Sequence, residues 1–489
     1  MINKIKGLLN KYKSLPAGVR ASLWFLICAF FQKGISFITT PIFTRLLTTS
    51  EYGQYSVFNS WFSILSVAMT LSLYRGVYTQ GLVKFEDSRK EYTSALEGLC
   101  TALTLFWLAV YLPFKNFWND LLSLTTLQMI AMLVMVWTTG IYNFWAVEQR
   151  VDVKYRKLVA VTIGVSLAKP ALGILLVLNS DDKVTARILG LAIVELVAYI
   201  GLYINHMIKG KRFYSKKIWT YAFKFNLPLV PHYLSMSILS TADRIMIKKQ
   251  CGDSSAGIYN LAYNISMIMT MFKTALLQTI EPWLYKKIKK KEIGDIAKMA
   301  YPTFILIAIV NTILIAFAPE IIYLFAPKTY SDALWVIPPV VMSVYFAFAY
   351  NFFAVFEFYY EKTKYITFAT LIGAVVNIVL NYFAIEMFGY YAAGYTTLLC
   401  YIIFAVFHYI FMQKICNDYL DGIHPYDTKK LLVISGIFMA IGFSFLVLYK
   451  NNIARYSVIV LLLTIAVIYR KKLMTYVKQM IQIKKNKVD

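Results

Sequence analysis

Lys33, Arg75, Lys169 and Lys273 lie inside long apolar stretches, where a Lys or Arg at the centre of a membrane helix costs about 2.5 to 3.5 kcal/mol on insertion scales. Cations kept there need compensation. One source is an anionic ligand that takes the ammonium or guanidinium groups in place of its own water. Another is a neighbouring acid, and the candidates are Glu97, Glu195 and Asp243, the last followed directly by Arg244. Glu97 and Glu195 would bind a coupling proton or sodium ion, or pair with lysines. Asp243 and Arg244 read as a gate or as a polar helix end near the surface. Snorkelling to an interface is a third outcome, open above all to Arg75 and Lys273, which lie near the ends of their apolar runs.

Other chemistry is hard to build from this chain. His206, His232, His408 and His424 share no metal-ligand spacing, and His232, after Pro231, sits at the start of an apolar run, facing either a cavity or an interface. There is no Gly-x-x-x-x-Gly-Lys loop for a nucleotide. The Asp181-Asp182 pair falls in a short connection and reads as a solvated loop. Five cysteines, three of them inside apolar runs, imply no disulfide framework. No cofactor is expected, and the reading is of a non-enzyme. The aromatic stretch from Tyr345 to Phe358 either stacks sugar rings or packs helices.

The elements that position these groups follow from composition. Of 489 residues, 59% are hydrophobic and 15% charged, with a mean hydropathy of +0.58, too apolar for one wetted core. Apolar runs at 21–43, 55–78, 92–113, 123–147, 157–178, 185–207, 225–247, 258–281, 299–318, 333–356, 365–385, 390–412, 431–449 and 453–469 are each long enough, or nearly so, to cross a bilayer. They lack the alternation of barrel strands, so an all-α polytopic membrane protein of about 14 helices is predicted. Arg75 then sits toward the inner end of one continuous second helix, and Lys169, before Pro170, at a point where the fifth could hinge.

The net charge of +25 is a topology signal rather than a nucleic-acid footprint, because of where it falls. With the N-terminus inside, 36 of the 50 Lys and Arg residues lie in segments that alternate to the cytoplasmic side and 10 on the other. Both termini are therefore expected in the cytoplasm, with the chain in a membrane of the inner or plasma-membrane type. No cleavable signal is read at the N-terminus; residues 1–20 are either a basic interfacial helix or a disordered basic tail.

A repeat is also legible. Gly53-Gln54-Tyr55 returns as Gly257-Ile258-Tyr259, 204 residues on, and the same offset links Lys84 to Ile288 between basic loops and Gly190 to Gly394 near the starts of the sixth and twelfth helices. Six helices separate the copies, so the halves share one orientation. The expected divisions are the basic segment 1–20, a first lobe 21–207, a cytoplasmic linker 208–224, a second lobe 225–412, and an appendage 413–489 of two helices and a basic tail. No connection exceeds about 20 residues, which leaves no room for a catalytic domain outside the membrane.

The stretch Phe31-Gln32-Lys33-Gly34-Ile35-Ser36-Phe37-Ile38-Thr39-Thr40-Pro41-Ile42-Phe43-Thr44-Arg45-Leu46-Leu47 with Glu51-Tyr52-Gly53-Gln54-Tyr55 resembles the opening of Wzx-type polysaccharide flippases. The pattern Leu227-Pro228, Asp243-Arg244, Gly257-Ile258-Tyr259 is similar too. These flippases belong to the multidrug/oligosaccharidyl-lipid/polysaccharide exporter (MOP) superfamily, with MATE exporters and MurJ. The resemblance implies two six-helix lobes forming a V around a central cavity, and alternating access driven by H+, Na+ or the membrane potential. It implies a substrate of undecaprenyl-diphosphate-linked oligosaccharide, an O-antigen, capsule or exopolysaccharide unit, whose diphosphate meets Lys33, Arg75 and Lys273 on the first, second and eighth helices, and Lys169, at a comparable depth, is read as a fourth contact. A polysaccharide polymerase and a chain-length regulator would be partners of a monomeric flippase. Two other readings stay open: a MATE-like ion-coupled exporter, which wants an acid-lined cavity, and a membrane-embedded polymerase or ligase, which wants a large outward loop.

Overall fold

The computed structural model describes residues 17–468. The first sixteen residues of the basic N-terminal segment and the basic tail beyond 468 lie outside the described residues. Eighteen α-helices and no strand occur among the described residues, and each of the fourteen apolar runs coincides with a helix or a pair of helices.

In chain order they are α1 Ala17–Leu46, α2 Thr49–Thr70, α3 Gly76–Lys84, α4 Arg89–Tyr111, α5 Lys115–Leu122, α6 Thr126–Val151, α7 Tyr155–Leu178, α8 Lys183–Gly210 and α9 Lys216–Asn226. There follow α10 Val230–Cys251, α11 Asp253–Lys289, α12 Ile296–Ala316, α13 Ala318–Phe325, α14 Ile337–Tyr359, α15 Thr363–Phe388, α16 Ala392–Tyr419, α17 Thr428–Leu448 and α18 Asn452–Ile468. Among the described residues ten candidate spans are long and apolar enough to cross a membrane, and α18 falls short on length. The second, seventh and eighth runs fall short on composition: α2 carries Glu51, Gln54 and Asn59, α10 carries His232, Asp243 and Arg244, and α11 carries Asn260, Asn264, Lys273 and Glu281. Helices so polar need protein or water against one face.

The chain divides into two compact units, the first to Thr241 and the second from Ala242, with the division inside α10. In the first unit α8 packs on α7, α6 and α4. Gly190 and Gly210 allow close approaches, since a Cβ would lie 2.7 Å from the Gly173 Cα at the first and 2.2 Å from the Lys90 carbonyl at the second. Capping boxes start α2 (Thr48 with Glu51) and α6 (Thr125 with Gln128), supplying acceptors to amides that the first turn leaves unpaired. α9, in the stretch read from sequence as a linker, docks on α4 through Trp219 Nε1, which donates to the Ala95 carbonyl at 2.8 Å.

In the second unit α14 is almost wholly buried and packs on α16, α11 and α12. The aromatic stretch read as a possible sugar platform is largely core: Tyr345, Phe348, Phe352 and Phe353 surround Phe304.

The connection after α4 forms the short helix α5, with Phe114, Phe117 and Leu121 more than half exposed. That apolar face suits the edge of a bilayer. A cysteine replacing the exposed Lys115 is expected to react with a membrane-impermeant maleimide added to intact cells. Labelling only after permeabilisation would overturn the topology.

Candidate functional site

The second apolar run is not one helix. Leu71 and Ser72 take left-handed φ values of 51° and 50°, ending α2, and the ladder resumes only at Gly76. Non-glycine residues in that region are uncommon, and the freed backbone groups must be satisfied within the protein. The Ser72 amide turns to the Thr70 Oγ1 at 3.2 Å. The Leu71 carbonyl accepts from Asn226 Nδ2 at 2.7 Å. Asn226, fully buried, is the last residue of α9, where the chain makes a 3-10 turn through Pro228 before α10. Two interruptions of regular helix are thus stitched together by one asparagine.

Arg75 stands in this break, exposed, at the N-cap of α3. Its guanidinium lies 4.9 Å over the Tyr233 ring and 5.7 Å from that of Tyr74. No carboxylate forms an ion pair with it among the described residues. The first turn of α3 has no side-chain cap, so the positive end of that helix meets the guanidinium. Ser72 Oγ and Asn226 Oδ1 are buried nearby without hydrogen-bond partners among the described residues. Fixed positive charge and helix-end amides at one place are an arrangement that can hold an anion.

The other cations divide. Lys33 is exposed on α1 and has no acidic partner among the described residues. Lys169 does have one: its Nζ donates to Glu195 Oε1 at 2.6 Å, while Glu195 Oε2 accepts from Thr138 and Thr139 at 2.9 and 3.1 Å. A group read as a substrate contact and one read as a coupling acid are joined to each other, and α7 continues through Pro170. Lys273 is half-buried on α11 and is an electrostatic neighbour of Glu281.

Asp243 and Arg244 are buried, 3% and 5% exposed, not at a surface-level helix end. Arg244 donates to Asp243 Oδ1 at 2.8 Å and lies 3.8 Å over Tyr263, and Tyr259 donates to Asp243 Oδ2 at 2.5 Å. Tyr259 belongs to the second Gly-x-Tyr copy. Tyr55 of the first copy lies 3.5 Å from the guanidinium of Arg187, a 9%-exposed residue that sequence reading passed over. The repeated tyrosine therefore contacts a buried arginine or its partner in each unit.

Glu97 bonds to His206, and in the second unit Glu357 bonds to His408. Neither histidine was legible as functional, because neither fits a metal spacing. The repeat held the available signal: His206 and His408 are 202 residues apart, and Glu148 and Glu357 209, close to the 204 of the motif.

Comparison with known proteins agrees with this architecture. Residues 19–288 match the polysaccharide biosynthesis protein family and residues 228–383 the MatE family. Protein 1 of the Lsg locus of Haemophilus influenzae is 22% identical over 384 residues, 73% of this chain and 88% of that one. Among solved structures, the lipid II flippase MurJ in an inward closed conformation superposes with a TM-score of 0.65 at 14% identity, over 92% of this chain and 99% of that one. An inward-facing multidrug resistance MATE transporter of the MOP superfamily gives 0.57 at 12% identity, over 79% and 95%.

Proposed function

This chain belongs to the polysaccharide biosynthesis protein family, and from that premise we propose that it is a flippase for an oligosaccharide carried on undecaprenyl diphosphate, working by alternating access in the cytoplasmic membrane. The observation that carries the reading is the polarity of what is left unpaired. Glu97, Glu195 and Asp243 are each bonded to a histidine, a lysine or an arginine, whereas Arg75 and Lys33 have no acidic partner among the described residues. With Glu281 offset by the neighbouring Lys273, such an inventory favours an anionic cargo over an organic cation, which needs an available acid. A polymerase or ligase is the weaker reading, because the solved structures that share the fold include a lipid II flippase and a multidrug resistance transporter.

The chemistry is electrostatic substitution. A diphosphate loses water on entering a low-dielectric site, at a cost of several kcal/mol per charge. Arg75 returns part of that through charge-assisted hydrogen bonds, and the start of α3 adds amide donors. The sugar rides in the same polar passage while the polyprenyl tail stays in lipid. With no nucleotide-binding loop in the sequence, the drive is an ion gradient, the membrane potential or consumption of the product.

Depleting the protein in cells is expected to stop surface polysaccharide and to accumulate its lipid-linked unit on the cytoplasmic face. Undiminished surface polysaccharide would reject the reading. Lys33→Ala is expected to preserve protein level, because the side chain is exposed and carries no acid, and to lower surface polysaccharide at least tenfold, matching the loss of about 1.5 kcal/mol or more for a hydrogen bond to a charged group. Unchanged polysaccharide would remove Lys33 from the substrate path.

A further inference from the structure

Three helices of the first unit meet at an ionisable cluster of which sequence reading found only Glu97, as a candidate coupling acid. α4 contributes Glu97, the last turn of α6 contributes Glu148, and the last turn of α8 contributes His206. His206 Nδ1 lies 2.7 Å from Glu97 Oε1, and its Nε2 lies 3.1 Å from Glu148 Oε2. The Glu97 side chain is fully buried, His206 is 6% exposed and Glu148 is 30% exposed. Glu97 Oε2 has no hydrogen-bond partner among the described residues. The other titratable or charged groups around the cluster are Tyr78 of α3, Cys100 of α4, Tyr203 of α8, and Lys154 beside Glu148.

Each N···O contact needs a proton between its atoms. A neutral imidazole brings only one, with a lone pair on its other nitrogen. Two carboxylates against both ring nitrogens therefore fix one proton more than the neutral histidine carries, either on the ring or on a carboxyl. If that proton leaves, a lone pair faces a carboxylate oxygen in a buried place, and the contact must open.

We propose that Glu97, His206 and Glu148 form a proton-binding site, exchanging with water through Glu148 on the side that the Lys and Arg distribution assigns to the cytoplasm, and that its occupancy is coupled to transport. The coupling rests on the flippase reading; the proton site itself does not. Protonation ties α4, α6 and α8 together, and release of the proton loosens them. The second unit supplies an internal control. Its Glu357 and His408 meet at 2.6 Å with side chains 0% and 2% exposed, but among the described residues only His408 Nδ1 meets a carboxylate, so a neutral histidine satisfies the pair.

Two measurements decide this. In pH-difference infrared spectra of the purified protein between about pH 5 and about pH 9, wild type and Glu357→Gln are expected to show a titration that Glu97→Gln and Glu148→Gln lack. Glu148 sits partly in solvent, so its variant guards against misfolding at the buried position. Spectra that titrate alike in all four proteins would overturn the site. In proteoliposomes loaded with polyprenyl-diphosphate-linked oligosaccharide, a gradient of one pH unit is expected to shift the steady-state distribution of that lipid by about tenfold per proton carried. The shift should persist in His408→Gln and vanish in Glu148→Gln. Its persistence in Glu148→Gln would overturn the coupling. Absence of any flipping in wild type, with the infrared titration intact, would sink the flippase reading and the coupling with it while keeping the proton site.

Discussion

Arg75→Ala is expected to weaken binding of a short-chain polyprenyl diphosphate about 100-fold and to abolish transfer of the lipid-linked sugar, with the folded protein recovered in normal amount. A hydrogen bond to a charged group contributes about 1.5 to 3 kcal/mol, and two such bonds from one guanidinium reach about 3 kcal/mol or more, which is roughly 100-fold in affinity. Stability should hardly change, because the side chain is exposed and contacts the rings of Tyr74 and Tyr233 rather than an acid. Arg75→Lys separates charge from geometry: it keeps the cation but loses the planar fork, and is expected to fall between wild type and alanine. Titration calorimetry in detergent gives the affinities. Equal binding by wild type and Arg75→Ala would remove the anion site at the helix break.

Lys169→Ala is expected to act in the opposite way, destabilising the protein by about 3 kcal/mol before transport is considered. The substitution strands Glu195, 3% exposed and held by Thr138 and Thr139, as an uncompensated buried charge. Lys169 is itself 28% exposed, which keeps the expected loss at the lower end of the range for broken buried pairs. Lys169→Met combined with Glu195→Gln removes both charges and should recover most of the loss, because a neutral amide still accepts from both threonines. Thermal unfolding of Lys169→Met, Glu195→Gln and the double variant, analysed as a cycle, tests this. Additive losses would show that Lys169 and Glu195 do not act as a pair and would return Lys169 to the candidates for substrate contact.

These two expectations mark where sequence reading succeeds and where it stops. The apolar runs and their helices correspond because backbone groups in lipid leave few alternatives to helix. Gly190 was found by its repeat offset from Gly394, and both meet a neighbouring helix closely, Gly190 at the backbone of Gly173 and Gly394 at the Pro339 side chain. The break beneath Arg75 was invisible because Leu71 and Ser72, not glycine or proline, take the left-handed positions, and the asparagine that stabilises it lies 155 residues away. Lys169 and Glu195 were both identified, but pairing across 26 residues depends on how α7 and α8 are rotated, and periodicity alone does not set that rotation. The histidines were set aside on metal spacing, although the chemistry of His206 lies in its carboxylates.

The polarity of the cargo is the claim on which the rest stands, and reconstituted protein tests it most directly. Vesicles containing wild type or Arg75→Ala are offered either a fluorescent polyprenyl-diphosphate-linked oligosaccharide, scored by its accessibility to a lectin outside, or an organic cation, scored by uptake. Transfer of the lipid-linked sugar by wild type, its loss in Arg75→Ala, and no cation uptake by either are the predicted result. Cation uptake without sugar transfer would contradict the account.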